Sequence, residues 1–498
     1  MDFISGQMVT QRTVPIGDGN SENTTKLSID SMQEPEADAN PPIHSLPPEI
    51  LSEIFLLALP SSYDILDPIR EGPWLLGRVC HQWRDISRDY PALWSSFDLV
   101  DWRLGLKQLA QEIRLRLFQE ALQRTRQTGL TMTLWIHDSF PAAIIETLMQ
   151  HSRQWEDVSL LFTSSRQWSQ SILHSPPLQF PLLRSLSLCY QKSQDDLVAT
   201  LGLFTNAPSL RSLEFNVKIP PFDMTMIPFP WSHITHLTMS FAKFSHVELI
   251  VTLLQLCPSL EELMDWTLLL GGRDPDVATV ASLMLSKLRS LSLSSHLLLR
   301  DLTCPVLEHL SFTMPHAEYP SLNLTIAQFF ARSGSQLHSL ELGLPRDSLG
   351  PDQLFSYIPQ LRKLVLHLAD SDNDSDPARF LKGLSGERGI VLRNLSVLEL
   401  SAMNLFTDDI RLEGRDELLV RIIERRWNVP RDSQVTRLSH VRVRARNPIT
   451  RVGDQVAPTP MVLSRIDRLK SFKAEGLDIS IIIDEEIEDA LWKERVLL

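Results

Sequence analysis

The sequence is short of the spacings on which most chemistry depends. Its 498 residues include four cysteines, Cys80, Cys189, Cys257 and Cys304. They lie too far apart for a C-x-x-C metal or redox spacing and are expected to be reduced, buried thiols. No H-E-x-x-H, G-x-S-x-G or G-x-x-x-x-G-K-[ST] occurs. That removes the usual signals of zinc hydrolysis, serine-nucleophile catalysis and phosphate cradling. No glycine-rich turn follows an expected strand, as a doubly wound nucleotide-binding sheet requires. No apolar run is long enough to span a bilayer, and no basic-then-apolar leader opens the chain. Positive charge is in deficit too. The 48 Lys and Arg against 61 Asp and Glu leave a net charge of -13, which argues against a general affinity for nucleic acid or anionic membrane.

Two loci mimic chemistry and fail on detail. "DSDNDSD" (370–376) alternates carboxylates like a calcium loop, but Ser375 stands at the sixth place and Leu381 at the twelfth. A calcium loop needs glycine and glutamate there, so a solvated acidic loop is expected. His233 and His236, close in sequence, read as surface or satisfied polar residues. A protein without catalysis, metal or cofactor is the expectation, resident in the cytosol or nucleus.

What is present is a folded composition, 43% hydrophobic, in a chain too long for one growing core. Residues 1–40 are polar and aperiodic and cannot bury enough surface to offset their ordering entropy, so a disordered tail is predicted. Residues 41–99 are expected to form a docking segment. "LPPEILSEIFLLAL" (46–59) begins with Pro47 and Pro48, suited to a first helical turn, and Glu49, favoured by the helix dipole. Ile50, Leu51, Ile54, Phe55, Ala58 and Leu59 then recur at helical spacing until Pro60. "LGRVCHQWRDISRDYPALWSSF" (76–97) repeats the pattern with Leu76, Val79, Cys80, Trp83 and Ile86 in a second helix that Pro91 ends, followed by Leu93, Trp94 and Phe97. So small a helical hairpin cannot cover its own apolar surface and needs a partner or a larger domain.

This order of residues resembles an F-box, the module by which substrate receptors dock on the Skp-type adaptor of cullin-RING ubiquitin ligases. The resemblance implies an adaptor-side set of Leu46, Pro47, Ile50, Leu51, Ile54, Val79, Trp83 and Trp94. The connection "PSSYDILDPIREGP" (60–73) is longer than the family's usual one.

A linker helix is expected over 100–128, with Leu106, Leu109, Ile113, Leu117 and Ala121 on one side, ended by Gly129. Leu130, Met132, Leu134 and Ile136 then alternate as a strand does. From 129 to 498 a motif recurs: apolar, two variable residues, apolar, one variable residue, apolar. Clear copies are "LRSLSL" (183–188), "LRSLEF" (210–215), "ITHLTM" (234–239), "LRSLSL" (288–293), "LEHLSF" (307–312), "LHSLEL" (337–342), "LRKLVL" (361–366) and "LSVLEL" (395–400). Weaker copies are "WEDVSL" (155–160), "LEELMDW" (260–266), "LSHVRV" (438–443) and "LKSFKA" (469–474). Most clear copies are 19 to 30 residues apart, and leucine-rich repeats have periods of about 20–29 residues. One repeat cannot bury its apolar triad, but stacked neighbours can. Pro208, Pro258 and Pro359 set up turns into strands, while 195–205 and 247–257 supply helices.

The predicted fold is therefore α/β: a small helical hairpin, then an irregular leucine-rich-repeat solenoid, curved, with parallel strands on the concave face and helices and loops on the convex one. It resembles the repeat half of fungal-type F-box proteins with C-terminal leucine-rich repeats. That likeness implies a noncatalytic receptor subunit, monomeric within a hetero-complex, joining an unknown target protein to the adaptor and its ligase. The alternative is a ligase-independent scaffold. In "VRVRAR" (441–446), Arg442, Arg444 and Arg446 share one strand face and could meet an acidic partner or phosphate. The plainer expectation is an exposed face offset by Asp416, Glu417 and Glu424.

Overall fold

The computed structural model describes residues 42–66, 72–99, 108–163, 166–173, 177–190, 194–217, 227–241, 247–265, 283–294, 297–312, 322–334, 336–344, 351–368, 377–385, 391–403, 415–430, 433–447, 467–487 and 491–496. The expected tail, 1–40, and the acidic loop, 370–376, lie outside these. The chain divides into two units, 1–50 and 51–498. In the first, Pro42–Ser45 form a 3-10 turn, and Pro48 to Ile50 open a helix.

The described helices are α1 (Pro48–Ala58), α2 (Pro73–Leu76), α3 (His81–Asp89), α4 (Gln108–Arg124), α5 (Ala142–Gln150), α6 (Arg166–Leu173), α7 (Gln194–Leu203), α8 (Val247–Gln255), α9 (Leu322–Ser333), α10 (Pro351–Tyr357), α11 (Pro377–Ser385), α12 (Arg415–Trp427) and α13 (Lys470–Ala474). The strands are β1 (Ser96–Leu99), β2 (Leu130–Ile136), β3 (Trp155–Phe162), β4 (Ser185–Tyr190), β5 (Ser212–Val217), β6 (His236–Phe241), β7 (Glu262–Asp265), β8 (Leu283–Met284), β9 (Ser290–Leu293), β10 (Leu302–Thr303), β11 (His309–Phe312), β12 (Ser339–Leu344), β13 (Lys363–Leu368), β14 (Val397–Met403), β15 (His440–Asn447), β16 (Asp478–Ile487) and β17 (Leu491–Val496). Among the described residues no helix is long and apolar enough to cross a membrane.

Among the described residues, fifteen strands form one sheet in chain order, with β8 and β10 paired apart from it. All neighbours are parallel except β17, which runs antiparallel to β16. A doubly wound sheet reverses its strand order at a switch point, and this one does not. Its two faces also differ. β2 alternates buried and more exposed residues along its whole length, as do β4 and β9. Sheets covered on both sides read instead as continuous apolar runs. Each clear motif copy supplies a strand. In "LRSLSL" (183–188) the buried side chains are Leu183, Leu186 and Leu188, and the register stacks Leu188 on Leu160 and Phe215.

The turn ahead of each strand follows from sequence. Leu183 N–H donates to Phe180 O at 3.4 Å, Leu210 to Ala207 at 3.2 Å, Leu260 to Cys257 at 3.2 Å and Leu361 to Ile358 at 3.2 Å. Pro181, Pro208, Pro258 and Pro359 occupy the second place of these turns, where a fixed φ is already correct. Neighbouring copies are then joined by a shared carbonyl. Arg211 O accepts from both Thr235 and His236 N–H, and Thr235 O accepts from both Glu261 and Glu262. The same double acceptance continues through Glu261, Arg289, Glu308, His338, Arg362 and Ser396. These bonds pair the backbone groups at each junction as one copy stacks on the next.

Three expectations need correction. "LKSFKA" (469–474) is no strand but α13, and the strand is β16. Its last apolar place holds Ala474, too small to fill the sheet layer, while its lysines favour helix. Gly476, at φ 105°, closes α13 in a Schellman turn, with Leu477 N–H reaching Phe472 O at 2.9 Å. α4 presents Phe118, Ala121 and Leu122 to the core, whereas Ile113 is exposed. Phe118 packs edge-on against Phe97, with centroids 5.9 Å apart, and this aromatic contact sets the helix rotation. Leu106 lies outside the described residues. Lastly, only Cys257 and Cys304 are buried, while Cys80 and Cys189 are half-buried; all four are free thiols.

Candidate functional site

The expected docking segment splits its apolar residues between a packed interior and an outer face. On α1, Leu51 and Phe55, one turn apart, are buried, and Phe55 meets the Trp83 ring with centroids 4.7 Å apart. Ile54 and Leu57, three apart, are 37% and 87% exposed. Pro60 follows the helix, whose last turn is closed by Leu59 N–H to Phe55 O at 3.1 Å.

The second helix of the hairpin is interrupted. The continuous helix expected from Leu76 to Ile86 is instead α2, a turn over Gly77 to Val79, and α3. Gly77 caps α2, and Cys80 is extended at φ -156°, its Sγ accepting the Trp83 N–H at 3.5 Å. The break turns Val79 outward, 60% exposed.

The long connection is pinned rather than looped out. Tyr63, Ile65 and Leu66 are buried, the Tyr63 hydroxyl donates to Leu93 O, and Asp98 N–H donates to Tyr63 O at 2.8 Å. Asp64 bridges Asp98 of β1. Residues 67–71 lie outside the described set. Gly72 sits at φ 75°, where a Cβ would stand 2.7 Å from the Tyr63 ring. Trp94 is buried, with Nε1 donating to Ser87 O at 2.7 Å, and Trp74 packs edge-on against it at 4.7 Å. The docking segment thus runs directly into the sheet through β1.

The eight residues expected on the adaptor side therefore separate. Ile54 and Val79 are exposed. In the first unit, Pro47 is exposed, Ile50 is 49% exposed and Leu46 is half-buried. Trp83 is half-buried, its Nε1 enclosed without a hydrogen-bond partner among the described residues. Leu51 and Trp94 are interior and are corrected to core, because Leu51 lies on the inward side of α1 and Trp94 is held beneath Trp74. Sequence reasoning missed Leu57. Its signal was the three-residue step from Ile54, masked because nearly every residue from Ile54 to Leu59 is apolar.

The second candidate site is β15. Val441, Val443 and Ala445 are buried, and Arg442 and Arg444 are exposed on the opposite face. Arg446 keeps the alternation in register, though its side chain lies outside the described residues. The helix carboxylates expected to offset the row are held by another cation. Arg468 reaches Glu417 at 3.1 Å and Glu424 at 2.6 Å. Asp416 is not among the residues whose side chains are described.

On the same sheet face, Ser311 Oγ donates to Glu341 Oε2 at 3.0 Å, and His367 Nε2 bonds Glu341 Oε1 at 2.8 Å. The His367 hydrogen bond, helped by Ser311 and nearby Lys363 and opposed by partial burial, holds the Glu341 carboxyl below its ordinary range. In a nucleophilic triad histidine sits between serine and carboxylate. Here the carboxylate sits between them, so His367 takes no proton from Ser311. Among the described residues no three His, Cys, Asp or Glu side chains gather as a metal site would need. Neither a protein-family model nor a curated protein matches this chain.

Proposed function

We propose that the chain is a noncatalytic substrate receptor that docks on a Skp-type adaptor and presents a target protein to a cullin-RING ubiquitin ligase. The observation that carries this reading is the outward placement of Ile54, Leu57 and Val79 on a segment whose interior is already filled by Leu51, Phe55, Leu93 and Trp94. Large apolar side chains left outside a filled interior are what a surface that meets a partner would offer. The order of residues from Leu46 to Trp94 resembles the F-box pattern, and that resemblance favours the adaptor as the partner.

The repeat region is read as an irregular leucine-rich-repeat solenoid, with the open sheet face receiving the target. Support comes from strands in chain order, recurrent motifs and the shared-carbonyl ladder. The mechanism is proximity. Tethering raises the effective concentration of target lysines near the charged ubiquitin carrier, and other subunits perform the transfer. The working compartment is the cytosol or nucleus, where those ligases act.

Deleting residues 46–97 is a poor test, because it removes Leu93, Trp94 and part of β1 from the core. Substitution at exposed positions is preferable. Tagged full-length chain expressed in eukaryotic cells is expected to co-purify adaptor and cullin, and the Ile54→Glu, Leu57→Glu, Val79→Glu variant to recover neither. Recovery of other partners with no adaptor would establish the scaffold instead.

A further inference from the structure

On the open face of the sheet, Thr133, Ser159, Ser187, Glu214 and Thr238 lie side by side in register, one from each of β2 to β6. Glu214 is thus a long, exposed side chain standing in a row of short ones. Two residues away from the row on one side is Trp135 of β2, 41% exposed and beside the half-buried Leu161 in register. Two residues away on the other side is Asp157 of β3, exposed between Thr131 and Ser185. Among the described residues neither the Asp157 nor the Glu214 carboxylate has an ion pair or a hydrogen bond. Nearby cations are turned to other partners. Arg184 pairs with Glu156 at 3.2 Å, Arg211 Nη1 donates to Pro208 O at 3.0 Å and Leu210 O at 2.8 Å, and His236 lies 3.8 Å from Glu262. Later strands differ, because there the carboxylates of the same face are matched: Glu341 by His367 at 2.8 Å, Glu399 by Lys363 at 2.8 Å and Asp478 by His440 at 2.7 Å.

We infer that the open face over β2 to β6 binds a basic segment of a partner protein, extended across the strands along the row of short side chains. Each flanking residue is about 6.8 Å off that row, within reach of a long side chain on the segment. Adjacent strands are about 4.8 Å apart, so an extended chain crosses each in one or two residues, and its successive side chains point to opposite sides. An apolar side chain toward Trp135 is then followed at once by a Lys or Arg toward Asp157. A second Lys or Arg, about three residues further on, meets Glu214 two strands away. An exposed tryptophan is the kind of residue that anchors interfaces, and the net charge of -13 adds long-range attraction for a cationic segment. The occupant's role as a ligase target rests on the receptor reading above; the match of charge and shape does not.

The test uses the full chain and a fluorescent serine peptide with Leu-Arg-Ser-Ser-Arg at its centre. One control replaces both arginines by glutamine, and another replaces the leucine by serine. The first peptide is expected to bind, more weakly as salt rises, and each control to bind about tenfold more weakly or not at all. Trp135→Ala is expected to weaken the first peptide about tenfold or more, and Asp157→Lys with Glu214→Lys likewise. The charge-reversed pair sits at exposed positions, so it keeps the test decisive if Trp135→Ala disturbs folding. No binding by the wild type, equal binding of the arginine and glutamine peptides, or affinity unmoved by the reversal would overturn the inference. Adaptor capture by the same variants is measured in parallel and should not change, because these residues lie outside 41–99. Adaptor captured with no peptide bound sinks this inference alone. Carboxylate-dependent peptide binding without adaptor capture sinks the receptor reading and leaves the basic-segment site standing.

Discussion

The guanidinium of Arg124, in the last turn of α4, lies 4.4 Å from the ring centroid of Trp94 in the docking segment. It also lies 4.7 Å from Trp74, and an ion pair to Glu120 on its own helix steadies it. Partial burial is the main influence on Arg124 and lowers its pKa, against Glu120. One cation thus holds two tryptophans of the docking segment against the helix that precedes the long run of repeats.

Cation–π contacts of this kind are worth about 0.5–2 kcal/mol. Arg124→Ala is expected to lower the urea midpoint of the full chain by an amount equivalent to about 1 kcal/mol or more, and Arg124→Lys to recover part of it. An Ala variant that unfolds with wild-type would show that the contact contributes nothing.

Arg426 is buried, and among the described residues no carboxylate pairs with it. Its Nη1 donates to Leu392 O at 3.1 Å and its Nη2 to Val391 O, bracing a turn in which Leu392 adopts φ 52°. Burial pulls its pKa down to about 10, so it stays charged near neutrality. Arg426→Ala leaves a cavity and two carbonyls without donors, a loss of about 3 kcal/mol or more. Arg426→Met, which fills the space, should lose less. Chemical denaturation of both variants checks the order, and equal loss would mean that the cavity is irrelevant.

The thiols divide by burial. Cys257 and Cys304 are pushed up to about 12 by desolvation, with Arg332 opposing slightly at Cys304, whereas Cys80 and Cys189 are half-buried. A raised folded pKa means that the stabilisation is complete below the ordinary value of 9.0 and is lost as pH climbs toward 12. Stability should therefore fall with pH in that window, less steeply in Cys257→Ala with Cys304→Ala. At pH about 8 a thiol reagent should modify two cysteines in the native chain and four after denaturation. Four fast thiols in the native state would contradict the burial.

Gly476 at φ 105° ends α13 and frees the chain to begin β16. Open space surrounds it, so Gly476→Ala tests backbone strain alone. The expected cost is about 1 kcal/mol, read from thermal or urea unfolding. No change would mean that this turn relaxes freely.

Periodicity made the sheet legible because a parallel strand with one covered face writes its burial into alternate residues, as in Leu186, Leu188 and Tyr190. The same signal misled at "LKSFKA", where spacing alone cannot reveal that Ala474 is too small for the layer. It also missed the break at Val79, since a turn of Gly77 to Val79 preserves nearly the same phase. Leu51 and Ile54 look alike in sequence; the packing of Phe55 against Trp83 shows which side of α1 is interior. The partners of Glu417 and Glu424 were hidden because Arg468 lies more than forty residues away.

The decisive measurement of the receptor reading is calorimetric titration of the purified 498-residue chain with a purified Skp-type adaptor. Saturable one-to-one binding is expected, weakened about a thousandfold by Ile54→Glu with Val79→Glu, since two interface anchors are worth about 2 kcal/mol each. The variant should melt as the wild type does, because both side chains are already outside. No binding by the wild-type chain, or undiminished binding by the variant, would contradict the receptor account.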